Sequence, residues 1–289
     1  MGIRAYKGHG TGNDFIVVPP MSPADGVAVP DFDAREVALL CDRHLGIGAD
    51  GLIRVVPTVH ADDAFVRAQA GQAPWFMDYR NADGSLAEMC GNGVRVFVRV
   101  LLREGLAEPG ELAVATRGGV RRVHVAALDA DVAVAMGVGT PEAPSRVTIS
   151  EGRSFPASGM YFPNPHAVIL VDDLDDAGAL HAVPEWHPHE RYPAGVNVEF
   201  VRIAGPRHLQ VRIHERGVGE TMSCGTGVCA AVAVARDAMD DTAADTWRVD
   251  VPGGTVWVDV DRFGETTLRG PAVLVATLDI DEAWLRATP

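Results

Sequence analysis

Two hexapeptides decide how this chain is read: MCGNGV at residues 89–94 and SCGTGV at 223–228. In each, a cysteine is followed at once by Gly-X-Gly, and the two thiols, Cys90 and Cys224, fall one in each half of a 289-residue chain. Setting the cysteines in register aligns the halves around them. Asn81, in DYRNADGSLAEMCGNG, and Glu215, in VRIHERGVGETMSCGTG, each stand nine residues before their cysteine. Further upstream GIGADGLIRVV (46–56) faces PAGVNVEFVRI (193–203), and GNDFIVV (12–18) faces PNPHAVIL (163–170). The first half is longer by about 13 residues, an excess assigned to PTVHADDAFVRAQAGQAP (57–74), a loop by composition. A period this long is not that of a solenoid. It implies a duplication: two similar domains.

Local signals place the elements. DAREVALLCDRHLG (33–46) reads as a helix with Asp33 and Glu36 in a capping box and Gly46 as its C-cap. After Cys90, Arg95, Arg99 and Arg103 recur every fourth residue, a charged stripe on a helix of Val, Phe and Leu that Gly105 ends. After Cys224, VCAAVAVARDAM (228–239) is apolar almost all round, so that helix is expected to be deeply buried. ELAVATRGGVRRVHVAAL, DVAVAMG and RVDVPGGTVWVDVDRFGETTLRG read as strands with turns between them. The fold class expected is α/β (α+β), with mixed, largely antiparallel strands wrapped round the helix that follows each cysteine. The boundary is expected near GVGTPEAPS (137–145), giving domains 1–136 and 137–269.

Composition narrows the chemistry. The chain is 47% hydrophobic and 22% charged, enough to bury substantial cores. No apolar stretch reaches the roughly 18–20 residues that span a bilayer, and the N-terminal residues carry no apolar secretory segment. A net charge of −14 argues against nucleic acid or an anionic membrane as partner. Four scattered cysteines make no disulfide framework, so reduced thiols in a cytoplasm are the expectation. Lys7 is the only lysine, and it lies in no cofactor motif. Pyridoxal phosphate, which needs a Schiff-base lysine, is therefore not expected. No set of Cys and His has metal-ligand spacing, so neither metal nor cofactor is expected.

The repeated frame points to acid–base chemistry. A cysteine at a helix N-terminus meets unpaired N–H groups and the positive end of the dipole, which favour thiolate. Gly91, Gly93, Gly225 and Gly227 let a substrate come close to the backbone. Two such helix starts aimed at one cleft would hold a carboxylate, with a thiol on either side of its α-carbon. One thiolate would then remove the α-proton while the opposite thiol returned a proton to the other face, inverting the centre. Cys41 and Cys229, outside this frame, read as small buried hydrophobes.

The blocks GHGTGNDFIVV, GIGADGLI, NADGSLAEMCGNGVR, NPHAV, GVNVEFV, ERGVGETMSCGTGVCAAV and LRGPAVLV, in this order over nearly the whole chain, resemble the diaminopimelate epimerases. These pyridoxal-independent enzymes interconvert L,L- and meso-diaminopimelate for lysine and peptidoglycan precursor synthesis. The resemblance implies two domains, each a strand barrel around a central helix, with the active site in the cleft between them. It also implies a C-terminal segment (270–289) returning to the first domain, and a homodimer. Cys90 and Cys224 match the acid–base thiols. Gly91, Asn92, Gly225 and Thr226 match the helix-start amides that grip the reacting carboxylate. Asn13, Asn81, Asn164, Asn197, Glu215 and Arg216 match the residues that fix the rest of the substrate. His166 is either a structural histidine or a group behind a thiol that tunes it. Lys7, His9 and Asp14 are assigned no chemistry.

Two positions depart from the family: Gly51, where many relatives have Gln, and Pro163, where Gly is common. A proline or hydroxyproline racemase shares the two-thiol logic, but tends to carry His where this chain has Asn92. A thiol redox switch formed by Cys90 and Cys224 is the non-catalytic rival. A cysteine hydrolase would leave the second C-G-X-G frame without a role.

Overall fold

The computed structural model describes residues 2–21 and 30–287; Met1, Thr288 and Pro289 of the segments discussed above lie outside them. The chain forms two units, the residues up to Val134 with those from Pro271 onward, and Ala135–Gly270. In the first, strands β1 (Gly2–Gly10) and β2 (Asn13–Val18) make a hairpin. Its turn, Thr11–Gly12, has φ of 50° and 80°, the mirror-image geometry whose twist suits a two-residue hairpin. Helix α1 (Ala34–Cys41) carries the chain to β3 (Gly51–Pro57), parallel to β2. Beyond a short helix α2 (Ala64–Arg67) comes antiparallel β4 (Trp75–Asn81). Helix α3 (Gly91–Arg103) then crosses to β5 (Gly110–Ala115), parallel to β4. β6 (Arg121–Val125) and β7 (Val132–Gly137) follow antiparallel.

The second unit repeats this plan. Strands β8 (Thr140–Thr148), β9 (Ser154–Tyr161) and β10 (Pro165–Leu170) run antiparallel in turn. A short β11 (Glu185–His187) lies on β8, and β12 (Asn197–Gly205) is parallel to β10. β13 (His208–Glu215) is antiparallel to β12, with the small β14 (Gly219–Thr221) folded back on it. Helix α4 (Gly225–Ala238) crosses to β15 (Asp245–Val251), parallel to β13. β16 (Gly254–Val260) and β17 (Thr266–Gly270) follow antiparallel. Finally β18 (Val273–Asp281) pairs antiparallel with β1, and α5 (Glu282–Ala287) ends the described chain. The strand order β18-β1-β2-β3-β4-β5-β6-β7 thus has the same succession of parallel and antiparallel pairings as β8-β9-β10-β12-β13-β15-β16-β17. In the first unit β18 takes the place that β8 holds in the second.

Each sheet wraps one helix. α3 packs against β1, β2, β3, β4 and β18, and α4 against β9, β10, β12, β13, β16 and β17. Val94, Val96, Phe97, Val98 and Val100 on α3 are wholly buried, each worth about 1.5–3 kcal/mol over exposure. On α4 the small residues Gly227, Ala230, Ala231 and Ala235 let strands come close from all sides. Both helices end in the same way. Leu106 N–H bonds Leu101 O and Gly105 N–H bonds Leu102 O, while Asp241 N–H bonds Arg236 O and Asp240 N–H bonds Asp237 O. This double closure needs a left-handed residue, supplied by Gly105 (φ 66°) and by Asp240 (φ 51°).

Three expectations need correction. α1 starts with the capping box but stops at Cys41, well short of Gly46. Asp42 leaves the helix because its carboxylate accepts the N–H groups of His44 and Leu45, a local turn that competes with further helix. Residues 57–74 are not a plain loop: they hold a 3-10 turn (Thr58–His60) and α2, capped by Asp63, over a core of Val56, Ala61, Val66, Ala73, Phe76 and Ala115. The expected boundary segment GVGTPEAPS lies just after the division between the units, and most of it is β8, which bulges between Glu142 and Ser145, where a proline is tolerated in a strand. On α3, Arg95 and Arg99 are buried and Arg103 alone of that stripe is exposed.

Beneath the sheet of the first unit, Asp78 is 1% exposed and ringed by Arg54 (2.6 Å), Arg80 (3.6 Å) and Arg117. Burial raises its pKa, but the three guanidinium groups outweigh that and hold it below the ordinary value. A depressed carboxyl stabilises the fold above its unfolded pKa and loses that contribution as pH falls. Asp78→Asn, measured by chemical denaturation at neutral pH, is expected to cost about 3–5 kcal/mol and to flatten the acid limb of the stability profile. Asp240→Gly is expected to raise stability by up to about 1 kcal/mol, since glycine adopts the left-handed conformation without a Cβ penalty.

Candidate functional site

Each central helix begins at its cysteine. Cys90 is the N-cap of α3 (φ −137°, ψ 118°) and Cys224 that of α4 (φ −124°, ψ 117°), nearly the same backbone conformation. Gly91 and Asn92, like Gly225 and Thr226, supply the first two helical N–H groups, which no residue of their own helix accepts.

In the first unit the thiol sits in a net of amides. Cys90 Sγ accepts the Gly93 N–H at 3.5 Å and lies 3.5 Å from Asn13 Oδ1. Asn92 Nδ2 donates to the same Asn13 oxygen at 3.3 Å. The flip of Asn13 is fixed because its Nδ2 donates to Asp50 Oδ2 (2.7 Å), which as a carboxylate only accepts. Asp50 in turn shares Arg43 with Asp14, which also binds Lys7 at 2.6 Å. Burial works against the Asp14 charge, yet Arg43 and Lys7 hold its carboxyl well below the usual range. From the other side Arg95, 0% exposed, donates to Asn92 Oδ1 and to Thr11 Oγ1 (3.0 Å). Asn81 stands apart from this net: its amide donates to Ser85 Oγ (3.0 Å) in the turn after β4.

At Gly51 a side chain has no room. A Cβ there would lie 2.6 Å from the Tyr79 ring and 2.5 Å from Arg80 O, so the phenol of Tyr79 takes the space that a side chain at 51 would need. Tyr79 is pinned edge-on to Phe15.

In the second unit Cys224 is buried, with Sγ 3.4 Å from Thr226 Oγ1. Burial first, then the charge of Glu215, pushes its thiol well above the ordinary value, and Glu199 adds to the effect. His166 and Glu199 are both fully buried, Nδ1 to Oε1 2.6 Å, and His166 Nε2 lies 2.8 Å from Asn164 Oδ1. Asn197 accepts the Arg216 N–H at 2.9 Å and donates to Pro165 O. Glu215 accepts the Thr221 hydroxyl (2.6 Å), so β14 holds it in place. Arg216 is exposed, its stem over Gly195, where a Cβ would approach it to 3.0 Å. Gly195 has φ 86°.

Asn13, Cys90 and Asn92 are therefore brought together, as are Asn164 with His166 and Asn197 with Arg216. Asp50, Arg95, Glu199, Thr221 and Gly195 were not singled out by sequence reasoning as site residues. An acid at 199 inside an apolar strand was a readable signal, because an unpaired carboxylate is almost never buried. Among the described residues no group of His, Cys, Asp and Glu is arranged to hold a metal. No helix there is long and apolar enough to cross a membrane.

Comparison with known proteins agrees with this architecture. The family model of diaminopimelate epimerase matches residues 5–141 and 160–275. Diaminopimelate epimerase of Streptomyces coelicolor is 52% identical over 98% of this chain and 97% of its own. That of Thermobifida fusca is 43% identical over 98% and 100%. Among solved structures, a PhzF-family phenazine biosynthesis protein of Bacillus anthracis has a TM-score of 0.69 at 15% identity, covering 97% of this chain and 99% of that one. A probable proline racemase of Agrobacterium radiobacter, with bound carbonate, has 0.67 at 16%, covering 97% and 93%. Likeness at such low identity bears on the fold alone. By the full-length family match and these identities, the chain belongs to the diaminopimelate epimerase family.

Proposed function

We propose that this protein is an isomerase that interconverts L,L- and meso-diaminopimelate, with Cys90 and Cys224 as its two acid–base groups. The observation that carries the proposal is the pair of cysteines at the N-caps of duplicated helices, with matching backbone angles. A cysteine is a poor N-cap beside Ser, Thr, Asp or Asn, so its use at both helices points to chemistry rather than to helix stability.

In the reaction, one sulfur as thiolate takes the α-proton, breaking C–H and forming S–H. The electron pair left on carbon spreads into the carboxylate, whose oxygens face the N–H groups of Gly91 and Asn92 and of Gly225 and Thr226. Those donors strengthen as negative charge builds. The other thiol gives its proton to the opposite face of carbon. No oxidant is consumed, and the pair ends with its protonation states exchanged, titrating as a coupled unit.

Binding of the distant, unreactive end falls to the remaining residues. Arg216 pairs with its carboxylate through the guanidinium fork, and Glu215 with its ammonium. Asn13, Asn81, Asn164 and Asn197 supply neutral donors and acceptors. Glu199 holds His166 behind Cys224. The expected setting is a bacterial cytoplasm, without pyridoxal phosphate, as a homodimer. Exposed Val273 and Val275 on β18, a strand that among the described residues pairs with β1, give such a dimer an apolar strand to bury.

Purified protein without added cofactor is expected to place solvent deuterium at the α-carbon of both isomers and to leave proline untouched. Cys90→Ser and Cys224→Ser should each lower epimerisation by about 100-fold or more, with one-sided exchange surviving in part. Full epimerase activity in either variant would remove the two-thiol scheme. Arg216→Ala should lower kcat/KM for diaminopimelate by about 100-fold to 10,000-fold, and an unchanged value would remove its assignment.

A further inference from the structure

Superposing the two copies on their cysteines places Arg95 against Cys229, each five residues into its helix. The two positions carry opposite environments. Arg95 is a wholly buried guanidinium whose Nε and Nη1 have no hydrogen-bond partner. Its other edge reaches the thiol through two amides, Arg95 to Asn92 Oδ1, then Asn92 Nδ2 to the Asn13 oxygen beside Cys90 Sγ. Cys229 is neutral and buried, its thiol pushed up to about 12 by burial. What stands under the start of α4 is an acid instead. A Cβ at Gly227 would lie 2.7 Å from Glu199 Oε1, so that carboxyl is pressed against the first turn, and Glu199 Oε2 has no hydrogen-bond partner.

We infer that the duplicated site is charged in opposite senses in its two halves, with Cys90 carrying the thiolate of the resting pair, Cys224 its thiol, and Arg95 the positioning residue that sets the first. A buried cation with three of its five N–H donors unpaired is costly, and a negative charge on the nearby sulfur offsets that cost. Burial lowers the Arg95 pKa to about 10, and the Cys90 and Asp131 charges act to raise it. Even so lowered, Arg95 remains a cation at neutral pH.

Two local contacts at Cys90 oppose each other. The Gly93 N–H favours charge on sulfur, whereas Asn13 Oδ1 favours a proton there. On this proposal the wholly buried guanidinium, whose charge water does not screen, outweighs the single Asn13 amide dipole. The other ionisable groups on the elements packed against α3 are largely committed. Lys7, Asp14 and Asp50 neutralise one another with Arg43. Asp78 is enclosed by Arg54, Arg80 and Arg117. Arg4 pairs with Glu104. His9 accepts the Gly12 N–H, Arg99 binds the carbonyls of Ala272 and Ala130, and Asp279 and Asp281 are exposed on β18. Asp131 is the acid shared with Arg95.

The inference rests on reading Cys90 and Cys224 as acid–base thiols, and its test separates the two ideas. Substrate-free protein is alkylated with iodoacetamide across a pH series, and each cysteine is followed by peptide mass spectrometry. Midpoints are compared rather than rates, because Cys224 is the more buried. The Cys90 midpoint is expected below that of Cys224. In Arg95→Met it should rise by about one unit, a tenfold loss of thiolate at a given pH, while Arg95→Lys keeps it low and the Cys224 midpoint stays put. A Cys224 midpoint at or below that of Cys90 in the unaltered protein overturns the inference. So does a Cys90 midpoint that stays put in a folded Arg95→Met, or one that shifts together with Cys224. If Arg95→Met does not fold, the comparison within the unaltered protein decides alone. Epimerase activity measured on the same sample distinguishes the failures: activity with the reversed midpoint order sinks the inference only, and the expected order without activity sinks the function.

Discussion

The structure depends on one constraint: each unit buries a helix inside its sheet, and the start of a helix carries N–H groups that the helix itself leaves unused. In a fold without a function there, a Ser, Thr, Asp or Asn would bond them. Here the N-cap is a sulfur, a weak acceptor, which meets the Gly93 N–H in α3 and the Thr226 hydroxyl and Gly227 N–H in α4. The helix ends are left as sites for an anion. Everything nearby follows from that vacancy. On the proposed function, glycines flank the sulfur so that a substrate carboxylate can reach the backbone, and Asn13 and Asn92 stand beside Cys90 as groups that donate and accept without adding charge.

Duplication supplied this arrangement twice, and divergence gave the copies different electrostatics. The same succession of strand pairings, the same N-cap angles and the same helix-end closure survive in both. Yet the first copy has an arginine where the second has Cys229, and the second has Glu199 where the first, in the register of the two quoted strands, has Leu52. An inversion reaction gains from such inequality. On the proposed two-thiol reading, a coupled pair of identical thiols would hold one thiolate without preference for either sulfur, whereas unequal surroundings assign it to one of them.

Most of the architecture was legible because its signals are local or repeated. The capping box at Asp33 and Glu36, the glycine after α3 and the doubled C-G-X-G frame need no knowledge of distant residues. What failed to show was whatever tertiary contact decides. The end of α1 turns on whether Asp42 bonds forward to His44 and Leu45 or lets the helix run on to Gly46. An arginine recurring every fourth residue reads as a wet stripe, and only the strands closing over α3 turn Arg95 and Arg99 inward. The contacts of Asn13 with Cys90, Asp50 and Asn92 join residues scattered over the first ninety positions, beyond the reach of any periodicity. Asn13 and Asn92 are picked out by the resemblance, whereas the charges that hold them, Asp50 and Arg95, are visible in the sequence only as letters inside the motifs.

Gly51 shows how a lost side chain is compensated through space. Its neighbour Asp50 keeps hold of Asn13, so the start of β3 still orients the amide beside Cys90. The volume freed at 51 is not left empty but filled by the Tyr79 ring from β4, two residues before Asn81 on the same face of that strand. Gly51, Tyr79 and the Arg80 carbonyl therefore form one steric unit, because any side chain at 51 meets both the ring and the backbone oxygen. A glutamine restored at 51 without a smaller residue at 79 would push the phenol off Phe15 and disturb the strand that carries Asn81. The glycine at 51 is thus tied to Tyr79, diagonal to it on β4, and to the Arg80 carbonyl beside its direct ladder partner Asn81.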